Sequence, residues 1–219
     1  MTILNSNIYS CSFVAGAILH EEFTAVLPLL MSSNREQLVK KEIEQNKYLH
    51  IQAKSSRKRV MVEINKRFDY ESKDFWKHYL SLNHKEQLVM LFYVVLDTYK
   101  LLFDFHVEVT MPCFNEGKTS LSENAFQMFI NKKTLEHPEF NEWTEKTVKK
   151  CISVYFRMLR QVGLLAINSK KFKYISMKDE FYEFFIQIKE IWFLDACFLS
   201  REKRDSIINK YVIKSKKGI

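Results

Sequence analysis

The alternation of apolar and polar positions is clearest between residues 144 and 162, where it has the period of an α-helix. One face collects the apolar side chains Val148, Cys151, Ile152, Tyr155, Phe156, Leu159 and Val162. The opposite face collects Lys146, Lys149, Lys150, Ser153, Arg157 and Arg160. Thr144 suits an N-cap, and Gly163 suits a left-handed C-cap. The pattern predicts a helix with one side for the core and a basic side for water or an anion.

After Gly163 the apolar period shortens to that of a β-strand. Residues 164–167 are apolar, residues 172–175 alternate, and a polar basic turn joins them, which predicts a β-hairpin. The hairpin carries three lysines: Lys170, Lys171 and Lys173. With the helix predicted over 122–135, the order helix, turn, helix and hairpin predicts a winged helix-turn-helix over 122–177.

The remaining apolar patterns also predict helices. They span residues 13–31 (with Pro28 kinking or splitting the helix), 34–46, 55–68, 71–82, 84–111 and 179–199, with another from Ser200. The helix over 84–111 is apolar on nearly every side, which predicts burial by both halves of the chain. We therefore predict a mainly α, two-domain helical protein with helix-turn-helix cores, the C-terminal one winged. The N-terminal domain spans 1–82, and the C-terminal domain spans 83–219.

A second basic segment lies in the helix predicted over 55–68 and just before it. Its cations are Lys54, Arg57, Lys58, Arg59, Lys66 and Arg67. Glu63 and Val62 interrupt this basic face, and Arg57 falls on its apolar side. Both basic segments can be read either as nucleic-acid contacts or as ordinary solvated helix faces, and the sequence alone leaves both readings open.

Composition favours a polyanionic partner. The chain has 219 residues, is 47% hydrophobic and carries a formal net charge of +8, with an isoelectric point near 9.2. The charge is uneven, because residues 1–110 are nearly neutral, whereas residues 111–219 hold the excess of lysine and arginine. The basic balance therefore lies in the half that contains the predicted winged helix.

The sequence offers no catalytic or cofactor motif. It has neither a glycine-rich nucleotide-binding motif nor a metalloprotease motif, and its four cysteines lack metal-ligand spacing. His20, Glu21 and Glu22 form the one tempting acid–base cluster and are predicted to be ordinary helix surface. We expect a non-enzymatic protein without cofactor or metal. The longest apolar run, residues 88–96, is too short to span a membrane, so a soluble cytoplasmic protein is expected.

Three segments together resemble the BrxA family of bacterial BREX (bacteriophage exclusion) phage-defence systems. They are YSCSFVAGAILHEEF, SSRKRVMVEINKRF and HPEFNEWTEKTVKKCISVYFRMLRQVGLL. The resemblance covers roughly residues 9–177 and implies a largely helical, two-domain protein with winged-helix-like parts that bind DNA. It implies protein partners among the other BREX components, including a methyltransferase, a phosphatase-like protein and ATPases. It brings no catalytic residues.

Together these patterns predict a subunit that binds double-stranded DNA through both basic segments and the hairpin lysines. Lysines greatly outnumber asparagine and glutamine there, so contacts to phosphates and weak sequence preference are expected. Glu145, Lys146 and Lys149 are placed best to reach base edges. One alternative is a protein-interaction scaffold within the defence complex, for which the aromatic helix near the C-terminus could be an interface. A second is RNA binding, which ranks lower because the aromatic residues fall on buried faces.

Overall fold

The computed structural model describes residues 8–217 and is mainly helical. Its helices are α1 (His20–Met31), α2 (Arg35–Gln45), α3 (Lys54–Phe68), α4 (Lys73–Ser81), α5 (His84–Thr98), α6 (Lys100–Phe105), α7 (Met111–Asn115), α8 (Glu123–Lys133), α9 (Glu145–Gln161), α10 (Asp179–Gln187), α11 (Trp192–Ala196) and α12 (Arg201–Lys217). Two 3₁₀ turns (Ser12–Ala15 and Pro138–Glu142) and one π-helical turn (His106–Thr110) complete the helical elements of the described residues.

Helix α5 lies at the centre of the core. All its residues from Val89 to Thr98 are buried. It packs against α1, α3 and α4 on one side, while Tyr93 meets the rings of Phe185 and Phe193 on the other. This confirms the prediction that both halves of the chain bury it. The division into domains at residue 82 stays a prediction.

The predicted helix over residues 84–111 is interrupted at Tyr99. Tyr99 has extended backbone angles (φ −121°, ψ 97°), and α6 begins at the next residue. Its hydroxyl donates a hydrogen bond to the buried carboxylate of Glu63, and its ring meets that of Phe13 edge-on. These long-range contacts are absent from the local pattern, which is why periodicity alone predicted one continuous helix.

Two other predicted helices are also shorter than expected. The segment predicted over 13–31 forms a 3₁₀ turn and then α1, separated by extended Gly16 and by Leu19 in the left-handed region (φ 59°). Pro28 lies inside α1 without splitting it. The aromatic segment predicted over 179–199 divides into α10 and α11, where Lys189 has a φ of 67°.

Both ends of α9 follow the sequence prediction. The Thr144 side chain accepts a hydrogen bond from the backbone N–H of Thr147 at 3.1 Å, so it is the N-cap. Gly163 has a φ of 84°, and its N–H bonds to the carbonyl of Arg160. The N–H of Leu164 bonds to the carbonyl of Leu159 at 2.8 Å, which completes a Schellman C-cap.

The region after Gly163 departs from the prediction of two regular strands. Within the described residues, β-pairing is limited to isolated antiparallel bridges, Leu165 with Phe172 and Ser120 with Lys171. The N–H of Ala166 bonds to the carbonyl of Lys171, and that of Lys173 bonds to the carbonyl of Leu164. The chain turns so soon after the cap of α9 that only these few backbone groups pair.

Replacing Gly163 with alanine should destabilise the protein by about 1 kcal/mol, because only glycine adopts the left-handed cap without steric cost. No heavy atom lies within 4 Å of the Cβ that alanine would add, so the cost is conformational only. Urea unfolding of the two proteins measures it. A variant as stable as the parent would contradict this account of the cap.

Candidate nucleic-acid interface

Burial of α9 matches its predicted faces. Every side chain assigned to the apolar face is buried, and Val154 and Met158 are buried beside them. The basic face is exposed except for Arg160, which is partly buried. Burial raises the pKa of the Cys151 thiol to about 12, so it behaves as a small apolar side chain. The predicted basic face is therefore accessible to a ligand.

Arg57, predicted as a phosphate contact, is instead a structural residue. Its side chain is 7% exposed and donates hydrogen bonds to the backbone carbonyls of Ile43, Ile51 and Gln52. These bonds join the end of α2 to the start of α3. Its place on the apolar side of the helix, already visible in the sequence, is the physical reason.

Arg67, also predicted as a phosphate contact, is fully buried and cannot reach a ligand. It pairs with Glu63 at 2.8 Å and donates to the carbonyls of Gly16, Ala17 and Ile18. Glu63, only 3% exposed, also accepts from the Tyr99 hydroxyl. The guanidinium therefore holds residues 16–18, just before α1, against α3.

Four other predicted contacts are only partly available. Burial lowers the pKa of Lys66, whose ammonium lies 4.3 Å from the centroid of the Tyr99 ring. Three exposed lysines have acidic partners: Lys54 with Glu44 at 2.6 Å, Lys149 with Glu145 at 2.5 Å, and Lys170 with Glu123 at 3.0 Å. The hydrogen bond from Lys149 also lowers the pKa of Glu145. A phosphate would have to compete with these carboxylates.

Arg160 connects α9 to the turn that follows it. Its Nε donates to the carbonyl of Ser169 at 3.2 Å, and its guanidinium carbon lies 5.9 Å from the centroid of the Phe156 ring. These contacts fix the basic turn, which carries exposed Lys170 and Lys171, beside the C-terminal end of α9. Exposed Lys173 follows within the paired segment.

The structure brings cations of the two basic segments together in one cavity. This cavity, hereafter the α3–α9 groove, has a volume of about 640 Å³ and is lined by Lys58 and Arg59 of α3 and by Lys150 of α9. None of these three side chains makes a hydrogen bond or ion pair with any residue that the structure describes. The rest of the lining is small or apolar apart from Glu63, whose carboxylate is paired with Arg67. The groove therefore offers an anion three cations that lack partners among the described residues.

The 3₁₀ turn Ser12–Ala15 joins the two walls of the groove. It packs against both α3 and α9, and Ser12, Val14 and Ala15 line the cavity. Ala15 also borders a second cavity of about 590 Å³, where Arg157 of α9 is exposed. The sequence could not predict this arrangement, because the segment that joins the two helices lies far from α9 along the chain.

These observations define the class of protein: a mainly helical protein with a groove between two helices, lined by three cations that have no partner within the described part of the chain. Among residues 8–217, no helix combines the length and apolar character that a membrane-spanning segment needs. Basic side chains that are neutralised by neighbouring carboxylates are typical of an ordinary solvated surface. The groove cations have no such neutralising partner among the described residues, which favours a polyanionic ligand.

Comparison with known proteins gives the family. The BrxA family model matches residues 7–189. The BREX protein BrxA of Bacillus cereus (strain H3081.97) is 22% identical over 163 residues, covering 74% of this chain and 82% of that relative. The chain therefore belongs to the BrxA family of BREX phage-defence systems.

The fold is shared with a solved structure. The crystal structure of an uncharacterized protein from Magnetospirillum magneticum superposes with a TM-score of 0.74 at 18% sequence identity. The match covers 86% of this chain and 97% of the other. At that identity the likeness concerns the fold alone.

Proposed function

We propose that this protein is a non-enzymatic subunit of a BREX system that binds double-stranded DNA in the cytoplasm. The observation that carries the proposal is the α3–α9 groove, which Lys58, Arg59 and Lys150 line without an acidic partner among residues 8–217. Bare cations on one concave surface repel one another, and a row of phosphates relieves that repulsion.

Helix α9 is the proposed recognition helix. It follows α8 and the Pro138–Glu142 turn, and we assign the role of a short wing to the few backbone pairs between residues 164–166 and 171–173. This order supports a winged helix-turn-helix. The wing is shorter than the sequence predicted, so we assign it phosphate contacts through Lys171 and Lys173.

The available side chains favour phosphate contact over base readout. Among the three residues predicted to reach base edges, Lys149 and Glu145 neutralise each other, which leaves Lys146 as the exposed cation near the start of α9. A lysine contacts phosphates as a point charge and reads bases poorly when alone. We therefore expect weak sequence preference.

Affinity for duplex DNA should fall steeply with salt. Five exposed cations on α3 and α9 lack acidic partners among the described residues: Lys58, Arg59, Lys146, Lys150 and Arg157. If each neutralises one phosphate, the slope of log K against log salt is about −4.5. Fluorescence anisotropy with random-sequence duplexes at several salt concentrations measures it. Binding insensitive to salt would refute a phosphate-directed interface.

A specific observation favours a protein scaffold as the second candidate. The most exposed large apolar side chains of the described residues lie outside the groove: Leu135 (94%), Ile167 (83%) and Tyr174 (73%). Such residues suit contact with another BREX component, such as the methyltransferase, the phosphatase-like protein or an ATPase. Charge reversal of Lys149 and Lys150 distinguishes the candidates: lost complex assembly with unchanged DNA retention favours the scaffold.

RNA binding is tested by competition in the same assay. Tyr174 is an exposed aromatic residue next to Lys173, whereas the aromatic residues of α9 are buried. A single-strand binder needs several exposed rings on which bases stack. We therefore expect duplex DNA to compete better than single-stranded RNA of equal length; the reverse order would assign the groove to RNA.

A further inference from the structure

A second cluster of polar side chains lies outside the α3–α9 groove, where the N-termini of α1 and α5 meet. His20 and Glu21 are the first residues of α1, and His84 is the first residue of α5. One potential ligand atom from each of the three lies within 4.8 Å of the other two. The rings of His20 and His84 are edge-on, with centroids 4.4 Å apart. The sequence predicted ordinary helix surface here, because nothing local places His84 beside Glu21.

We propose that His20, Glu21 and His84 bind one divalent first-row transition-metal ion, with Zn²⁺ as the reference ion. Two imidazole nitrogens and one carboxylate oxygen form a ligand set that zinc sites with three protein ligands use, with a fourth position left open. The cavity of about 590 Å³ next to the cluster gives an entering ion access from solvent.

A hydrogen-bond chain selects the His20 tautomer that a metal needs. The Gln87 amide nitrogen donates to the carbonyl of Tyr79 at 3.2 Å, so the amide oxygen faces His20. That oxygen lies 2.9 Å from Nε2 of His20, which must therefore carry the proton. A flipped amide would set two oxygens against each other at Tyr79. In neutral His20 the lone pair is thus on Nδ1, as in metal-binding histidines whose other nitrogen donates to an acceptor.

That lone pair points at another acceptor. Nδ1 of His20 lies 3.3 Å from Oε1 of Glu21. Two lone pairs at this distance repel unless a cation lies between them, either a proton on His20 or a metal ion. Metal–ligand bonds of about 2.0–2.1 Å in a tetrahedron place neighbouring ligand atoms about 3.3 Å apart, so this pair already has the spacing of two ligands. His84 is exposed, so its side chain can rotate to provide the third ligand.

The surroundings limit the strength of the site without excluding it. The positive ends of the α1 and α5 dipoles oppose any cation there, whether an imidazolium or a metal. Arg157 borders the same cavity, and the negative charges of Glu21 and Glu22 offset its positive charge. Because Glu21 and His84 are exposed, we expect micromolar affinity rather than the tighter binding of an enclosed structural zinc.

Isothermal titration of the full-length, tag-free protein with Zn²⁺ alone tests the proposal. One ion per chain should bind, and His84→Ala and Glu21→Gln should each weaken binding at least tenfold, since they remove ligands. Both side chains are exposed, so the variants should fold, which circular dichroism verifies. Glu202→Gln and His50→Ala change an exposed carboxylate and an exposed histidine that do not line this cavity. They are the matched controls and should bind like the parent protein.

Co²⁺ provides the second readout. Bound Co²⁺ should give the visible absorption band of a four-coordinate ion with nitrogen ligands in the parent protein. This band should be absent in His84→Ala. If the parent protein binds neither ion, or if His84→Ala or Glu21→Gln binds as tightly as the controls, the proposal is overturned and His20 is simply ion-paired with Glu21. DNA binding plays no part in either measurement, so the proposed function stands or falls separately.

Discussion

Replacing Lys58, Arg59 and Lys150 together with glutamine will lower the affinity for duplex DNA by about 100- to 1,000-fold near 0.1 M salt. The three side chains line one groove and lack partners among the described residues, so each is free to neutralise a phosphate. Each lost phosphate contact makes the salt slope less steep by about 0.9, so the slope should change by about 2.7. Anisotropy titrations of the parent and the variant at matched salt give both quantities.

The matched control replaces Lys54, Lys149 and Lys170 with glutamine. These lysines lie on the same two helices and the adjoining turn, but each pairs with a carboxylate. Both triple variants remove three positive charges from a net charge of +8, so any effect of overall charge is equal. The control should lose less than tenfold in affinity. Equal losses in both variants would mean that net charge, and not the groove, drives binding.

Local patterns were sufficient to predict α9. Its period, the Thr144 cap and the Gly163 cap are all properties of a short stretch of sequence, and burial confirms its two faces. Helix α3 shows the limit of such patterns. Periodicity placed Arg57 on the apolar side of the helix, which correctly indicated that its side chain would be buried. The local sequence shows only that Arg67 can pair with Glu63 four residues earlier, as exposed helix residues also do. It could not reveal the burial of Arg67, because the backbone carbonyls that its guanidinium also contacts belong to residues 16–18.

The candidate site depended on contacts that no local pattern contains. Sequence identified Lys58, Arg59 and Lys150 as cations, but it could not show that they line one cavity with the Ser12–Ala15 turn. Nor could it show which lysines pair, since Lys170 meets Glu123 only through the fold. The interruption at Tyr99 has the same origin: a buried hydrogen bond to Glu63 outweighs local helix preference.

Replacing Arg67 with alanine should destabilise the protein by about 3–5 kcal/mol, because it leaves the Glu63 charge buried without its partner. The change also removes the N–H groups that donate to the carbonyls of residues 16–18. These buried carbonyls would then have no hydrogen-bond donor. Urea unfolding at neutral pH, followed by circular dichroism, gives the change in unfolding free energy.

The control for Arg67 lies on the same helix. Arg59→Ala also removes an arginine from α3, but at an exposed position, so its effect on stability should stay within about 0.5 kcal/mol. A double variant, Glu63→Gln with Arg67→Ala, should be less destabilised than the sum of the two single changes, because it removes the unpaired charge as well. Strict additivity would show that the loss comes from the carbonyl contacts of Arg67, and that the ion pair contributes little to holding the segment before α1 against α3.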